Sequence, residues 1–235
     1  MISTGNDIVS LNAINITRTK QYRFYSKILS TAEKRLYNGP EFATVPFENF
    51  VWLLWSIKES AYKYLKRARP DLVFIPGKFT VKQLLFPAGY TLANFEATEV
   101  ESAGFDNNVA LKGIITFGTD TLYSRSLMYR ELMVSVVNDD ENFENTYWGV
   151  KLIDKDYPEY QSMEVRKFLV SRLNKLFHSA ILIIGKNNGE VPIIIKKNKE
   201  LPIPISLSHH GQLIAYSFQL ADLPSSILQI SKNCF

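Results

Sequence analysis

One helix constrains the fold more than any other feature of the chain. In "FENFVWLLWSIKESAYKYLKRA", residues 47–68, Phe50, Leu54, Ile57, Ala61, Leu65 and Ala68 recur at spacings of three and four. Pro70 and the Pro-Gly pair at 76–77 end it. At about 100° per residue, Trp55, Glu59, Tyr62 and Lys63 fall opposite Ile57, Ala61 and Leu65. The first turns are apolar on that opposite side as well, and a helix hydrophobic all round is a buried one. The chain must therefore supply neighbours on both sides of this helix, which places Glu59 and Lys63 in a partly enclosed cleft between two halves. Taken alone, the same pair is also what an exposed i, i+4 contact looks like, worth a few tenths of a kcal/mol.

The remaining segments predict an α+β chain. "GNDIV" reads as a short strand running into a loop, and "STAEKRLYN" as a helix start with a Ser/Thr cap and an early Glu. The runs "FTVKQLLF", "NFEATEVES", "VALKGIITFG" and "ELMVSVVND" read as strands. "MEVRKFLVSRLNKLF" (163–177) reads as a second helix with Val165, Phe168, Leu169, Leu173 and Leu176 on one side. Then come "AILIIGK", a turn at "NNGE", "VPIIIKK", and a closing hairpin whose turn is "HHGQ". The order strand, helix, strands occurs twice, with the halves meeting near residues 118–130 and no fixed-period repeat. The expected division is 1–120 and 121–235.

Composition narrows the class. Of 235 residues, 46% are hydrophobic, enough for a sizeable core. The longest apolar run, "FVWLLW", is far too short to cross a membrane. The N-terminus lacks the pattern of a secretory signal. Cys234 is the only cysteine, so no internal disulfide or cysteine-based zinc site is expected, and a reducing cytoplasm is the expected compartment. The net charge of +4 suits an anionic ligand or an acidic partner without demanding nucleic acid. Basic residues cluster in "RTKQYRFYSK", "KYLKRAR" and "KKNK", which are also the marks of solvated helix faces and a turn. The many Tyr and Phe residues sit mostly among apolar neighbours rather than on basic faces, so nucleic acid is not the expected partner.

Three places carry candidate chemistry. Asp7 stands in a β-like stretch, where Asp is a poor strand residue. It is either a turn or cap carboxylate or a metal ligand. Two carboxylates from different elements, Asp7 and Glu59, suit one Mg²⁺, which shares its shell with water and substrate phosphates. Lys63, one turn beyond Glu59, can reach a phosphate oxygen as a point charge. In "SLSHHGQ", Ser206 and Ser208 share one face of a strand that runs into a turn at His209. That is either a polar outer face with a turn histidine, or a hydroxyl-plus-imidazole phosphate clamp. His178, His209 and His210 are the only histidines, and no further ligand cluster supports zinc.

In order along the chain, "GNDIV", "FYSKILSTAE", "WSIKESAYK" and "ISLSHH" resemble the 4′-phosphopantetheinyl transferase superfamily. Its members move the phosphopantetheine arm of coenzyme A onto a serine of a carrier protein. The chain has the motif order of the short, trimeric holo-acyl-carrier-protein-synthase type and the length of the pseudodimeric surfactin-synthetase-activating type. Its second half is similar to the first half of the longer type. The resemblance implies a monomeric pseudodimer of two similar α+β halves in swapped order. It implies Mg²⁺ at Asp7 and Glu59, Lys63 near the diphosphate, Ser208 and His209 on a coenzyme A phosphate, and Arg166, or Arg172 on the same helix, on the 3′-phosphate. Glu59 or a metal-bound water is the implied base, and an acidic apo acyl or peptidyl carrier protein the implied partner for the basic clusters. Two departures stand out. Val9 occupies a position where the longer type often has a third acid, and the turn around Gly189 reads "GEVP" where the family has a shorter "GKP"-like turn. Residues 78 to 160 carry none of the quoted motifs.

Overall fold

All six residues of strand β1 (Gly5–Ser10) are buried, and three different elements do the burying. In the computed structural model, which describes residues 3–177 and 182–220, β1 is followed by short helices α1 (Ile16–Thr19), α2 (Tyr22–Tyr25) and α3 (Thr31–Leu36), then the long α4 (Phe47–Lys66). Next come β2 (Thr80–Leu85), β3 (Glu99–Ala103), β4 (Leu111–Phe117), β5 (Asp120–Met128), β6 (Leu132–Asn138) and β7 (Thr146–Leu152). Helix α5 (Pro158–Phe177) precedes β8 (Ile183–Lys186), β9 (Pro192–Lys196), β10 (Lys199–Leu201), β11 (Ile205–His210) and β12 (Leu213–Gln219). Helices and antiparallel sheets make the chain α+β, as its sequence predicts. Cys234 and His178 lie outside the described residues.

A five-stranded sheet runs β1-β6-β5-β4-β2 and a four-stranded one β11-β12-β7-β3. Helix α4 packs across the first, with Phe50, Leu53, Leu54, Ile57 and Ala61 fully buried against Val9, Leu111, Ile115, Met133 and Val137. Gly5 allows this approach, because a Cβ there would lie 2.0 Å from the Ser60 carbonyl oxygen. Helix α5 covers the second sheet through Val165, Phe168, Leu169 and Leu173, packed with Ile194, Ile205, Ile214 and Phe218. A third apolar cluster joins the sheets, built from Ile8, Leu127, Val134 and Val136 on one side and Trp148, Val150, Leu213 and Ala215 on the other.

The expected division at residue 120 falls in the turn between β4 and β5, which are hydrogen-bonded neighbours in one sheet. Strand β3, from before that point, pairs with β7 of the other sheet. The sequence reading missed β5 and β7. In β5, Ser124 and Ser126 are fully buried and blur the apolar alternation; in β7, Gly149 interrupts it. That glycine makes room for a ring, since a Cβ there would lie 2.7 Å from Tyr216. The closing hairpin also differs from expectation. His209 and His210 belong to β11, and the turn is only Gly211–Gln212, with Gly211 at φ 56°.

Candidate active site

The free edge of β1 explains how the site is assembled. One edge of β1 pairs with β6 along its full length. On the other side, β11 caps it with side chains in place of a backbone ladder. The Asn6 amide donates to Ser206 Oγ at 2.9 Å, Asn6 Nδ2 to Ser208 Oγ at 2.7 Å, and the Ser10 amide to His210 Nδ1 at 2.9 Å. The Thr4 and Ser217 hydroxyls add a fourth link at 2.9 Å. Buried backbone donors need partners; Ser206 and His210 supply them, and Ser208 between them takes the Asn6 side chain, all three at alternate positions on one strand. The polar face of "SLSHH" is therefore an internal seam.

Asp7 and Val9 point the other way, toward α4. Val9 joins the core beneath that helix, so a carboxylate there would be buried among apolar groups. Asp7 Oδ1 meets Lys63 Nζ at 3.0 Å, and Glu59 Oε1 meets the same ammonium at 3.3 Å. Lys63 also donates to the Asn6 carbonyl at 3.0 Å. Asp7 Oδ2 is buried with no hydrogen-bond partner. Burial pushes the Asp7 carboxyl up to about 7; Lys63 opposes this and Glu59 adds to it. For Lys63, burial pulls the ammonium down, but Asp7 and Glu59 outweigh it and hold the group above its ordinary value.

A cleft of about 370 Å³ opens beside this trio. Lys63, Lys66 and Tyr62 of α4, Arg166 and Ser162 of α5, Lys186 and Glu190 of the β8–β9 hairpin, and Ser206 and His209 of β11 line it. His209 sits on the exposed face of its strand, and desolvation against the wall, with Lys63 nearby, holds its imidazole below the usual range. Arg166 donates to the Ser162 carbonyl at 2.6 Å and to its hydroxyl. Arg67 closes the wall from behind, donating to the Pro192 and Ile205 carbonyls at 2.9 and 3.1 Å.

Of the residues singled out in the sequence, Asp7, Glu59 and Lys63 come together, and Lys63, Arg166 and His209 share the cleft. Ser208 is not among the cleft-lining residues; it is buried on the seam, and Ser206 stands at the cleft wall. Arg172 lies elsewhere, 3.6 Å from Glu101 and over the Tyr147 ring. Asn6, Lys66, Arg67, Lys186 and Glu190 were not foreseen. All five sat inside quoted stretches, Asn6 in "GNDIV", Lys66 and Arg67 in "KYLKRAR", Lys186 in "AILIIGK" and Glu190 in "GEVP", but none was singled out as a site residue.

Two carboxylates and an orphaned buried oxygen fit a divalent cation that takes its other ligands from water and phosphate. Among the described residues no group of three or more His, Cys, Asp or Glu side chains gathers as a metal site. The decisive likeness is in the first part of the chain. Residues 3–94 match the 4′-phosphopantetheinyl transferase superfamily. No curated protein and no solved structure matches. The match to the transferase superfamily spans less than half of the chain. It holds Asp7, Glu59 and Lys63, while Arg166, Lys186 and His209 lie beyond it. The matched segment thus contributes the two acids that hold Lys63, and the rest of the chain contributes Arg166, Lys186 and His209 of the cleft beside them.

Lys58, next to Glu59 in the same motif, does separate work. Its ammonium is fully buried, 2.9 Å from Glu33 Oε2 and 2.5 Å from the Ile28 carbonyl. Glu33 also accepts from the Ser30 amide, closing the expected cap of α3, and from the Val81 amide. This pair fixes α3 to α4 and β2.

Proposed function

We propose that the chain is a phosphopantetheinyl transferase. It moves the phosphopantetheine arm of coenzyme A onto a serine of an apo acyl or peptidyl carrier protein and releases 3′,5′-ADP. The observation that carries this reading is the junction of two acids on one lysine with a cationic cleft, in a chain whose first part matches the superfamily. Asp7 and Glu59 would hold a Mg²⁺, which would supply neutralisation of charge on the diphosphate. Lys63, already beside both acids, turns to a phosphate oxygen. Glu59 takes the proton of the carrier serine as its oxygen bonds to the β-phosphorus and the bond to the departing ADP oxygen breaks. Arg166 and His209 hold the nucleotide phosphates, with Arg166 preferred over Arg172 because only Arg166 lines the cleft. Ser208 acts indirectly, by holding β11 on β1.

The same reading includes a single-chain pseudodimer. What supports it is matched wiring: β1 leads to α4 and pairs with β6, which pairs with β5; β7 leads to α5 and pairs with β12, which pairs with β11. Both walls of the cleft come from one chain, so the proposed working unit is a monomer. Among the described residues no helix is long and apolar enough to cross a membrane; the cytoplasm is the proposed compartment.

Intact-protein mass spectrometry tests the function. The protein is mixed with coenzyme A, Mg²⁺ and a panel of apo carrier proteins, with and without EDTA. The expected result is a gain of one phosphopantetheine arm on a carrier, abolished by EDTA. No gain on any carrier while coenzyme A still binds would favour a binding module of the same fold. Glu59→Gln separates the two, since a catalyst loses turnover and a binder keeps its affinity.

A further inference from the structure

The cations lining the cleft have partners of two kinds. Lys66 gives its protons to the Pro70 and Leu72 carbonyls, and Arg166 to Ser162. Those partners are neutral, so both groups keep their net charge for a ligand. Lys186 differs. Its ammonium sits 2.5 Å from the carboxylate of Glu190, the one acid among the described residues lining the cleft. Glu190 is 77% exposed and stands in the β8–β9 turn in the left-handed backbone region, at φ 62°. Asn187 holds that turn: its side-chain oxygen accepts from the Gly189 and Val191 amides at 3.0 Å each, and its carbonyl from the Glu190 amide at 3.0 Å. A conformation that few side chains adopt readily thus presents a carboxylate at the mouth of a cationic cleft. An exposed Lys–Glu pair is weak and easily exchanged, whereas a phosphate offers the same ammonium more charge and more acceptors.

We propose that Glu190 is a resident counter-ion of this cleft. It holds Lys186 until a phosphate of the incoming ligand takes the ammonium from it. Lys186 is then a phosphate ligand, and Glu190 a competing counter-ion that lowers the affinity of every anion entering the cleft. The inference rests on the coenzyme A reading above and concerns the same site.

Calorimetric titration of the full chain with 3′,5′-ADP, at low and at high salt, tests both. Glu190→Gln is expected to tighten binding roughly two- to fivefold at low salt, the scale of an exposed ion pair. Lys186→Ala is expected to weaken it about tenfold, the scale of one charge-assisted hydrogen bond. Both effects shrink at high salt. If the unaltered chain binds 3′,5′-ADP but Glu190→Gln binds it no more tightly, or Lys186→Ala binds it equally well, the exchange is overturned and the coenzyme A reading stands. If neither the unaltered chain nor the variants bind, both fall.

Discussion

Asp7 and Lys63 meet at 3.0 Å across the packing of β1 on α4, and the second Asp7 oxygen is buried without a partner. A carboxylate kept in such a place, with burial pushing it up to about 7, opposes folding unless something else uses it. Its neighbours on either side, Asn6 and Ile8, are bound into the seam and the inter-sheet core. The backbone that presents Asp7 is therefore fixed from both sides.

Asp7→Asn keeps the shape of the side chain and removes its charge. Transfer is expected to fall about 10²- to 10³-fold, the loss typical of deleting one group that stabilises developing charge. The fold should survive, because the variant relieves a buried charge. Turnover in the mass-spectrometric assay and circular dichroism check the two halves of the statement, and unchanged turnover would remove Asp7 from the site.

Arg166 and Arg172 lie on one helix but have different surroundings. Arg166 lines the cleft, whereas Arg172 shares Glu101 with Lys175, which is 3.2 Å from that acid. Arg166→Ala is expected to weaken 3′,5′-ADP binding about tenfold. Arg172→Ala should leave affinity unchanged. Titration of the two variants side by side decides, and the reverse pattern would move the 3′-phosphate to the other arginine.

Lys58 and Glu33 form a fully buried pair whose remaining acceptors are occupied by backbone amides. Lys58→Met leaves the Glu33 carboxylate buried without its cation, and should cost about 3–5 kcal/mol in urea unfolding. Adding Glu33→Gln to that variant should recover part of the loss, because it removes the unpaired charge while its one amide oxygen still accepts from either the Ser30 or the Val81 amide. A loss from Lys58→Met below about 1 kcal/mol would mean that the pair is dispensable.

His210 accepts the Ser10 amide through Nδ1, stacks on Trp52, and is held below its ordinary value by burial. Its neutral form is the one the seam needs. In the unfolded chain it takes up a proton near pH 6.5, which the folded chain resists. Stability from this group is therefore intact above that value and lost as pH falls below it. His210→Asn offers an amide oxygen to Ser10 and cannot titrate, so its unfolding free energy should fall less between pH 7 and 5 than that of the unaltered chain. Equal slopes would show that the seam does not depend on His210 ionisation.

The sequence by itself determined helices α3, α4 and most of α5, most of the strands and the acidic half of the site. Periodicity marks α4 and most of α5 because each buries one continuous face, and Asp7, Glu59 and Lys63 stand out because charges are rare in apolar company. Only the tertiary structure decided the rest. Strands β5 and β7 were illegible because buried serines, one of them paired with Ser135 on the neighbouring strand, and a glycine that makes room for the distant Tyr216 break the local alternation. The destination of Ser208, on the β1 edge, and the placement of Arg166 rather than Arg172 at the cleft depended on which long-range faces meet. Local pattern records what a residue can bury; it does not record the partner. In this chain β1 finds its partners about 130 residues away in β6 and about 200 away in β11, and those pairings place the cleft.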